Sequence, residues 1–285
     1  MTTVLLLTMF SLYPYNLNGS AYITVGEYST GPEYVSQTLV TAIDRRSKDM
    51  LAVSLENLSI STDSTYFHQQ NLMMRGLWWI RPEIRIGAIG GVYHSNEADE
   101  GWLAGVQVEG EWRDIGYSIS ADRLSATIST ARWDSISLFN WDLVFTPQAR
   151  QVIHIGAGLS YRFYKDYLVF EAGATAGTGK KNSREYLYNA GVTFTPSNWT
   201  LIALSGKYGK GSYLFDPLLM SLDNNPNRFN NSYSGKITQR FITNLSLTAA
   251  FSKSSYTSTY TPIRGIPGEL SYTVTYYTVG VLIRF

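Results

Sequence analysis

Residues Tyr272–Phe285 read YTVTYYTVGVLIRF. Taken backwards by twos, Phe285, Ile283, Val281, Val279 and Tyr277 form one apolar row. Arg284, Leu282, Gly280, Thr278 and Tyr276 form a second, more mixed row. A β-strand points successive side chains to opposite faces, so this stretch is a strand with one apolar face. A soluble sheet rarely carries such a face to its last, bulky apolar residue.

The composition narrows what kind of sheet this is. The chain has 285 residues, no cysteine and a formal net charge of +1. A disulfide scaffold and a thiolate metal site are excluded, and no bulk field attracts nucleic acid. Charged residues make up 16% and aromatics 14%, with 21 Tyr and 7 Trp. A soluble domain carries roughly 25% charge. This chain is poor in charge and rich in rings that prefer an apolar–aqueous boundary. Yet the mean hydropathy is −0.10, too polar for a bundle of membrane helices. Nowhere do about eighteen apolar residues run together. A transmembrane β-barrel, which balances a lipid face with a polar interior, fits all of these facts.

The amino terminus, MTTVLLLTMFSLYPYNLNGSAYITV, has an apolar stretch from Val4 to Leu12 and small residues before Ala21. Residues 1–21 therefore read as a possible signal peptide, although no Lys or Arg precedes the apolar stretch. The remainder, 22–285, reads as a single barrel domain, since no linker or composition break divides it.

Two-residue alternation recurs along the chain. Ile84, Ile86, Ala88 and Val92 oppose Arg85, Gly87 and Gly91; Trp102, Ala104, Val106, Val108 and Trp112 oppose Gln107, Glu109 and Glu111. Phe139, Trp141, Leu143 and Phe145 oppose Asn140 and Asp142. Ile153, Ile155, Ala157, Leu159, Tyr161 and Phe163 oppose His154, Ser160 and Arg162. Runs of about ten residues suffice to cross a bilayer when tilted. Short turns (RSKD, RPE, WRD, YKD, PSN, ITN) alternate with longer loops, among them Gly209–Asn231 and Ser254–Gly268. That asymmetry predicts periplasmic turns and extracellular loops. Splitting Ile115–Trp133 into two strands gives about sixteen strands; leaving it whole gives fourteen. The segment DPLLMSL within the long loop predicts either a surface loop or one folded into the lumen.

Hydrocarbon offers no hydrogen-bond partner, so the sheet must close on itself. The terminal strand should then pair with the first, around Tyr22–Tyr28. Trp102, Trp112, Trp133, Trp141, Trp199, Tyr186 and Tyr277 should lie mostly at the two membrane interfaces.

The terminal strand resembles that of bacterial outer-membrane β-barrel proteins, which commonly end in Phe with apolar residues at alternate positions before it. The match falls on Phe285, Ile283, Val281, Val279 and Tyr277. The resemblance implies that this strand is an address read by the barrel-assembly machinery, in the outer membrane of a Gram-negative-type bacterium. The segments GLSYRFYKDYLVFEAG and EYLYNAGVTFTPSNWTLIALSGKYG also resemble the YaiO-like outer-membrane barrels. That likeness implies no chemistry and no site residues.

The inward rows supply the candidate lumen lining: Glu56, Arg75, Arg85, Glu109, Glu111, Arg113, Asp142, His154, Arg162, Glu171, Lys236 and Arg240. Both signs are present, which predicts weak ion selectivity if the lumen is wet. Catalytic chemistry has little to stand on. His94 and Ser95 are adjacent and should face opposite ways. His154 and Asp142, read as inward residues on consecutive strands across TPQAR, offer an Asp–His pair that more often holds structure than activates water. His68 and His94 sit at strand ends but match no metal motif. No phosphate loop, dinucleotide fingerprint or nucleophile elbow occurs. The expectation is a porin-like channel for passive diffusion of small solutes, without catalysis, cofactor, metal or nucleic-acid partner. Its expected partners are outer-membrane lipid or lipopolysaccharide and the assembly machinery. The alternatives are a non-conducting barrel that anchors or joins a surface or secretion assembly, with a protein partner, and a barrel hydrolase.

Overall fold

The structure is a computed structural model. It describes residues 15–45, 49–61, 66–96, 100–135, 141–164, 167–179, 184–211, 214–216, 221–223, 228–260 and 268–284; within these, the side chains of 15, 45, 49, 126, 128–135, 141–150, 179, 214–216, 221–223 and 258–260 lie outside that description. The elements on one half of the chain are β1 (Tyr15–Tyr28), β2 (Glu33–Arg45), β3 (Asp49–Ser61), β4 (Tyr66–Arg81), β5 (Ile84–Ser95), β6 (Glu100–Trp112), β7 (Ile115–Ser135) and β8 (Trp141–Phe163). They continue with β9 (Leu168–Gly179), β10 (Arg184–Ser197), β11 (Thr200–Gly211), β12 (Leu214–Asp216), β13 (Ser221–Asp223), β14 (Arg228–Ile242), β15 (Leu245–Tyr260) and β16 (Gly268–Arg284). Fourteen of these close into one antiparallel barrel, and β12 and β13 form a separate two-stranded sheet between β11 and β14.

Closure is made by β1 and β16, paired from Asn18↔Arg284 to Tyr28↔Val274. The expected pairing of the two ends is thus present, but it starts earlier. β1 begins at Tyr15, and Ala21 sits inside it opposite Val281 and Leu39. A barrel domain starting at residue 22 would lack the first half of that strand.

The fourteen-strand count holds because Ile115–Ser135 is one unbroken strand. Its Ser118, Ser120 and Asp122, turn-like in composition, alternate with the exposed Ile119 and so occupy the inward row. Strand β8 likewise runs through TPQAR without a break. β7 and β8 pair along their whole length, from Ile115↔Tyr161 to Ser135↔Trp141. Pairing with β6 ends at Ala126 and pairing with β9 at Val152. The β7–β8 ribbon therefore projects beyond the sheet, by roughly 30 Å at about 3.3 Å per residue. β7 also touches β15, and β13 touches β4, although neither pair is adjacent in the sheet. Both contacts span the barrel, so β13, the described stretch Ser221–Asp223 of the long loop, reaches toward the far wall at β4.

The outer face is the apolar row. Ile23, Leu39, Leu55, Val106, Ile155, Leu159, Leu204 and Val279 are all exposed. Ile153, which a packed soluble core would bury, is 47% exposed. Each such side chain gains roughly 1.5–3 kcal/mol on leaving water; a continuous band of them requires lipid. Trp102, Trp112, Trp199, Tyr186 and Tyr277 of the expected girdle are exposed on this face. Trp112 and Trp199 flank tight turns, where Phe163, Tyr164 and Tyr167 join them. The side chains of Trp133 and Trp141 lie outside the described residues.

Candidate functional site: the barrel lumen

The inward residues fall on register lines that run from strand to strand, and each line has its own chemistry. One line joins Val40, Ser54, Met73, Gly91, Leu103, Leu124 and Val152. Its apolar members pack with Ala52 and Tyr93 into a buried cluster, against which Tyr22 and Ile89 rest. The Tyr93 hydroxyl donates to the Thr127 carbonyl at 2.9 Å, tying this cluster to the root of the projecting ribbon.

The second apolar cluster lines the opposite wall near the long-loop end. Tyr28, Tyr272, Tyr256 and Phe229 follow one another across β1, β16, β15 and β14 with ring centroids 5.9, 5.6 and 5.9 Å apart. The first two contacts are stacked and the third is edge-on, the arrangements ring quadrupoles favour. Tyr34 meets Tyr276 edge-on at 4.9 Å. Tyr256 and Phe229 are each 1% exposed, so these rings pack against one another rather than standing free on the wall.

Polar groups are threaded between the clusters. Ser36 and Asn71 donate to the two oxygens of Glu56 at 2.8 and 2.9 Å, and Gln69 donates to Asn71 at 2.7 Å. All four are buried. A buried carboxylate with donors to both oxygens is stabilised where an unsatisfied one would not be. Lower on the same wall, Glu109 takes Arg75 at 2.9 Å and Arg85 at 2.8 Å. Gln107 donates to it as well, and Arg85 lies over the Trp79 ring. A third network joins β7, β8 and β10. His154 Nε2 is 3.0 Å from Glu185 Oε2, and Nδ1 is 3.8 Å from Asp122 Oδ1. Gly177 stands between His154 and Glu185 in the register and leaves the room in which their side chains meet.

The wall from β8 to β15 is different. Its inward residues include Ser160, Glu171, Asn189, Ser205, Lys236 and Arg240, small or polar and partly or fully exposed. Glu111 and Arg162 form an ion pair at the tight-turn end. Such a lining suits a hydrated lumen.

Of the lining residues expected from sequence, Glu56, Arg75, Arg85, Glu109, Glu111, His154, Arg162, Glu171, Lys236 and Arg240 occupy inward rows. Arg113 does not. It lies in the β6–β7 turn with a φ of 56°, exposed, its guanidinium over the Trp112 ring. The alternation ends at Trp112, and the turn swings the next side chain outward. The Asp142 side chain lies outside the described residues. Its backbone corrects the proposed pair nonetheless: Asp142 and His154 share strand β8, roughly 40 Å apart at strand rise. Asp142 faces Asp134, and His154 faces Asp122. His94 is exposed and Ser95 buried, on opposite faces of β5 as expected.

Sequence reasoning missed Ser36, Gln69, Asn71, Asp122 and Glu185, and it did not single out the inward rings Tyr28, Tyr256, Tyr272 and Phe229. Tyr276 and Gly280 of the mixed row carried a signal: Tyr272 and Val274 share their parity and face inward with them. A hollow of about 1310 Å³ follows the line of Tyr22, Thr38, Glu56, Asn71 and Tyr93 and includes Ile23, Leu39, Leu55, Leu72 and Trp102. Because Thr38, Glu56, Asn71 and Tyr93 are buried, its free surface comes from the apolar row. It is a hollow in the lipid-facing wall rather than a pore.

No family model and no curated protein sequence matches the chain. Solved structures do. It is similar to the CymD monoaromatic hydrocarbon channel, with a TM-score of 0.58 and 10% identity over 95% of this chain and 88% of that one. It is similar to the P. putida toluene transporter TodX, with a TM-score of 0.54 and 10% identity over 97% and 91%. OmpT, an outer membrane protein of Vibrio cholerae, gives a TM-score of 0.52 and 8% identity over 95% and 97%. At such identities the likeness is one of fold. The chain is a closed transmembrane β-barrel of the bacterial outer-membrane class, so its place is the outer membrane. Its tight turns face the periplasm and its long loops the exterior.

Proposed function

We propose that this barrel is a channel for small apolar solutes rather than a general aqueous pore. The observation that carries the reading is the buried ring run Tyr28–Tyr272–Tyr256–Phe229 in the outer half of the lumen. On this reading the rings part to admit a flat apolar solute, which takes over ring contacts without needing hydrogen bonds, and ligand sites of this kind are mostly apolar with few polar groups. Below it the polar wall of β8–β15 gives an exit into water. Two similar folds are a monoaromatic hydrocarbon channel and a toluene transporter, which supports the same solute class here. On this reading the ring run, more than the mixed charges, sets what passes, in place of the weakly selective ion pore expected from the mixed lining. In a planar bilayer the purified barrel should show conductance near baseline. Replacing Phe229, Tyr256 and Tyr272 together with Ala should open steady ion conduction and abolish toluene binding. A large ohmic conductance in the unaltered barrel would refute the reading.

The projecting β7–β8 ribbon favours a second reading, a non-conducting barrel that holds a partner at the surface. Beyond Ala126 and Val152 the ribbon has no neighbouring strand in the barrel sheet on either edge, and such edges accept further strands. Replacing residues 128–149 with a short turn separates the two: a channel keeps its toluene binding, whereas an anchor loses only its partner.

A further inference from the structure

The geometry points to a binding site for a phosphorylated glycolipid of the lipid A type on the outer wall of β10, β11, β14 and β15. On this face Ala190, Gly206 and Gly235 form the floor of a groove of about 530 Å³, with Leu204, Tyr233 and Phe251 as its sides. Leu204 and Tyr233 are exposed, and the groove is almost wholly apolar, as an acyl chain requires.

At the groove's rim and beyond it toward the exterior, the same strands carry cations. Lys210 stands opposite the exposed Tyr186, and Lys253 opposite the exposed Tyr233. Arg184 and Arg228, at the outer ends of β10 and β14, are exposed as well. Among the described side chains of these four strands the one carboxylate is Glu185, and it faces inward against His154. Elsewhere on the outer rim the charge is acidic or mixed: Glu27, Glu33, Glu100 and Glu269 are exposed. A single-sign belt that begins level with Tyr233 at the groove's rim and reaches Lys210 about four residues farther out matches a ligand with anionic groups at the head and acyl chains below. Tyrosines at the headgroup level complete the match. Lys210 and Lys253 lie on different strands and roughly 13 Å apart along the strand direction, so they address two separate phosphates better than one. A second copy of the chain, the competing occupant, would bring another four cations to this face and meet repulsion.

The test uses the full barrel in detergent, with diphosphoryl lipid A as probe and native mass spectrometry as readout. Two variants act on different halves of the site. Lys210→Gln with Lys253→Gln removes charge. Gly206→Leu fills the groove; a Cβ there meets only the Ser232 carbonyl oxygen, at 3.6 Å, so the strand accepts it. Each variant should retain at least about five-fold less lipid A, and the charge variant should bind dephosphorylated lipid A as the parent does. Unchanged lipid A retention in both variants overturns the proposal. So does a parent dimer that Gly206→Leu converts to monomer with lipid retention intact.

Discussion

At Gly177 a Cβ would meet the His154 ring, 2.8 Å from Nε2, and would lie 3.3 Å from Cβ of Glu185. The absence of a side chain at this position is what lets His154 reach Glu185 across β9. Gly177→Val should therefore push the ring off the carboxylate and leave two buried polar groups to find other partners. A hydrogen bond to a charged group contributes on the order of 1.5–3 kcal/mol. The variant should unfold at correspondingly lower denaturant in a folding titration, while Gly19→Val, where a Cβ would meet nothing within 4 Å, should not. Equal stability of the two variants would show that the His154 cluster carries no weight.

On strand β8, Leu159 and Ser160 are consecutive residues on opposite faces. Leu159 is 63% exposed toward lipid, and Ser160 faces the wet wall opposite Glu171. Lys at a lipid-facing mid-membrane position costs about 2–4 kcal/mol. Leu159→Lys should lower the stability of vesicle-folded barrel by that amount, whereas Ser160→Lys should stay within about 1 kcal/mol. Equal losses would mean that the two faces are misassigned. This alternation was legible in the sequence because it needs no partner strand: Ile153 to Phe163 declare their face by themselves. Strand length was harder. Ser118, Ser120 and Pro147 have turn-like composition, yet they sit inside β7 and β8, since small inward side chains and turn residues look alike in one sequence.

The content of the lumen was the least legible part, for a reason that belongs to the whole molecule. Asp122, His154 and Glu185 lie on three strands, and only the barrel register brings them together. The same holds for Tyr28, Tyr256 and Tyr272, drawn from both ends of the chain. Composition gives the total of rings and charges but not which of them share a level. The account as a whole rests on a closed barrel with one face in lipid and the β8–β15 wall in water. The chain has no cysteine, so single cysteines can report this directly. Ile153→Cys and Glu171→Cys, each carrying a bimane fluorophore, would be folded into vesicles. The account predicts that bimane at 153 is quenched by spin-labelled lipid and not by aqueous iodide, and that bimane at 171 shows the reverse. Protection of position 153 from both quenchers, or equal iodide quenching at both positions, would contradict it.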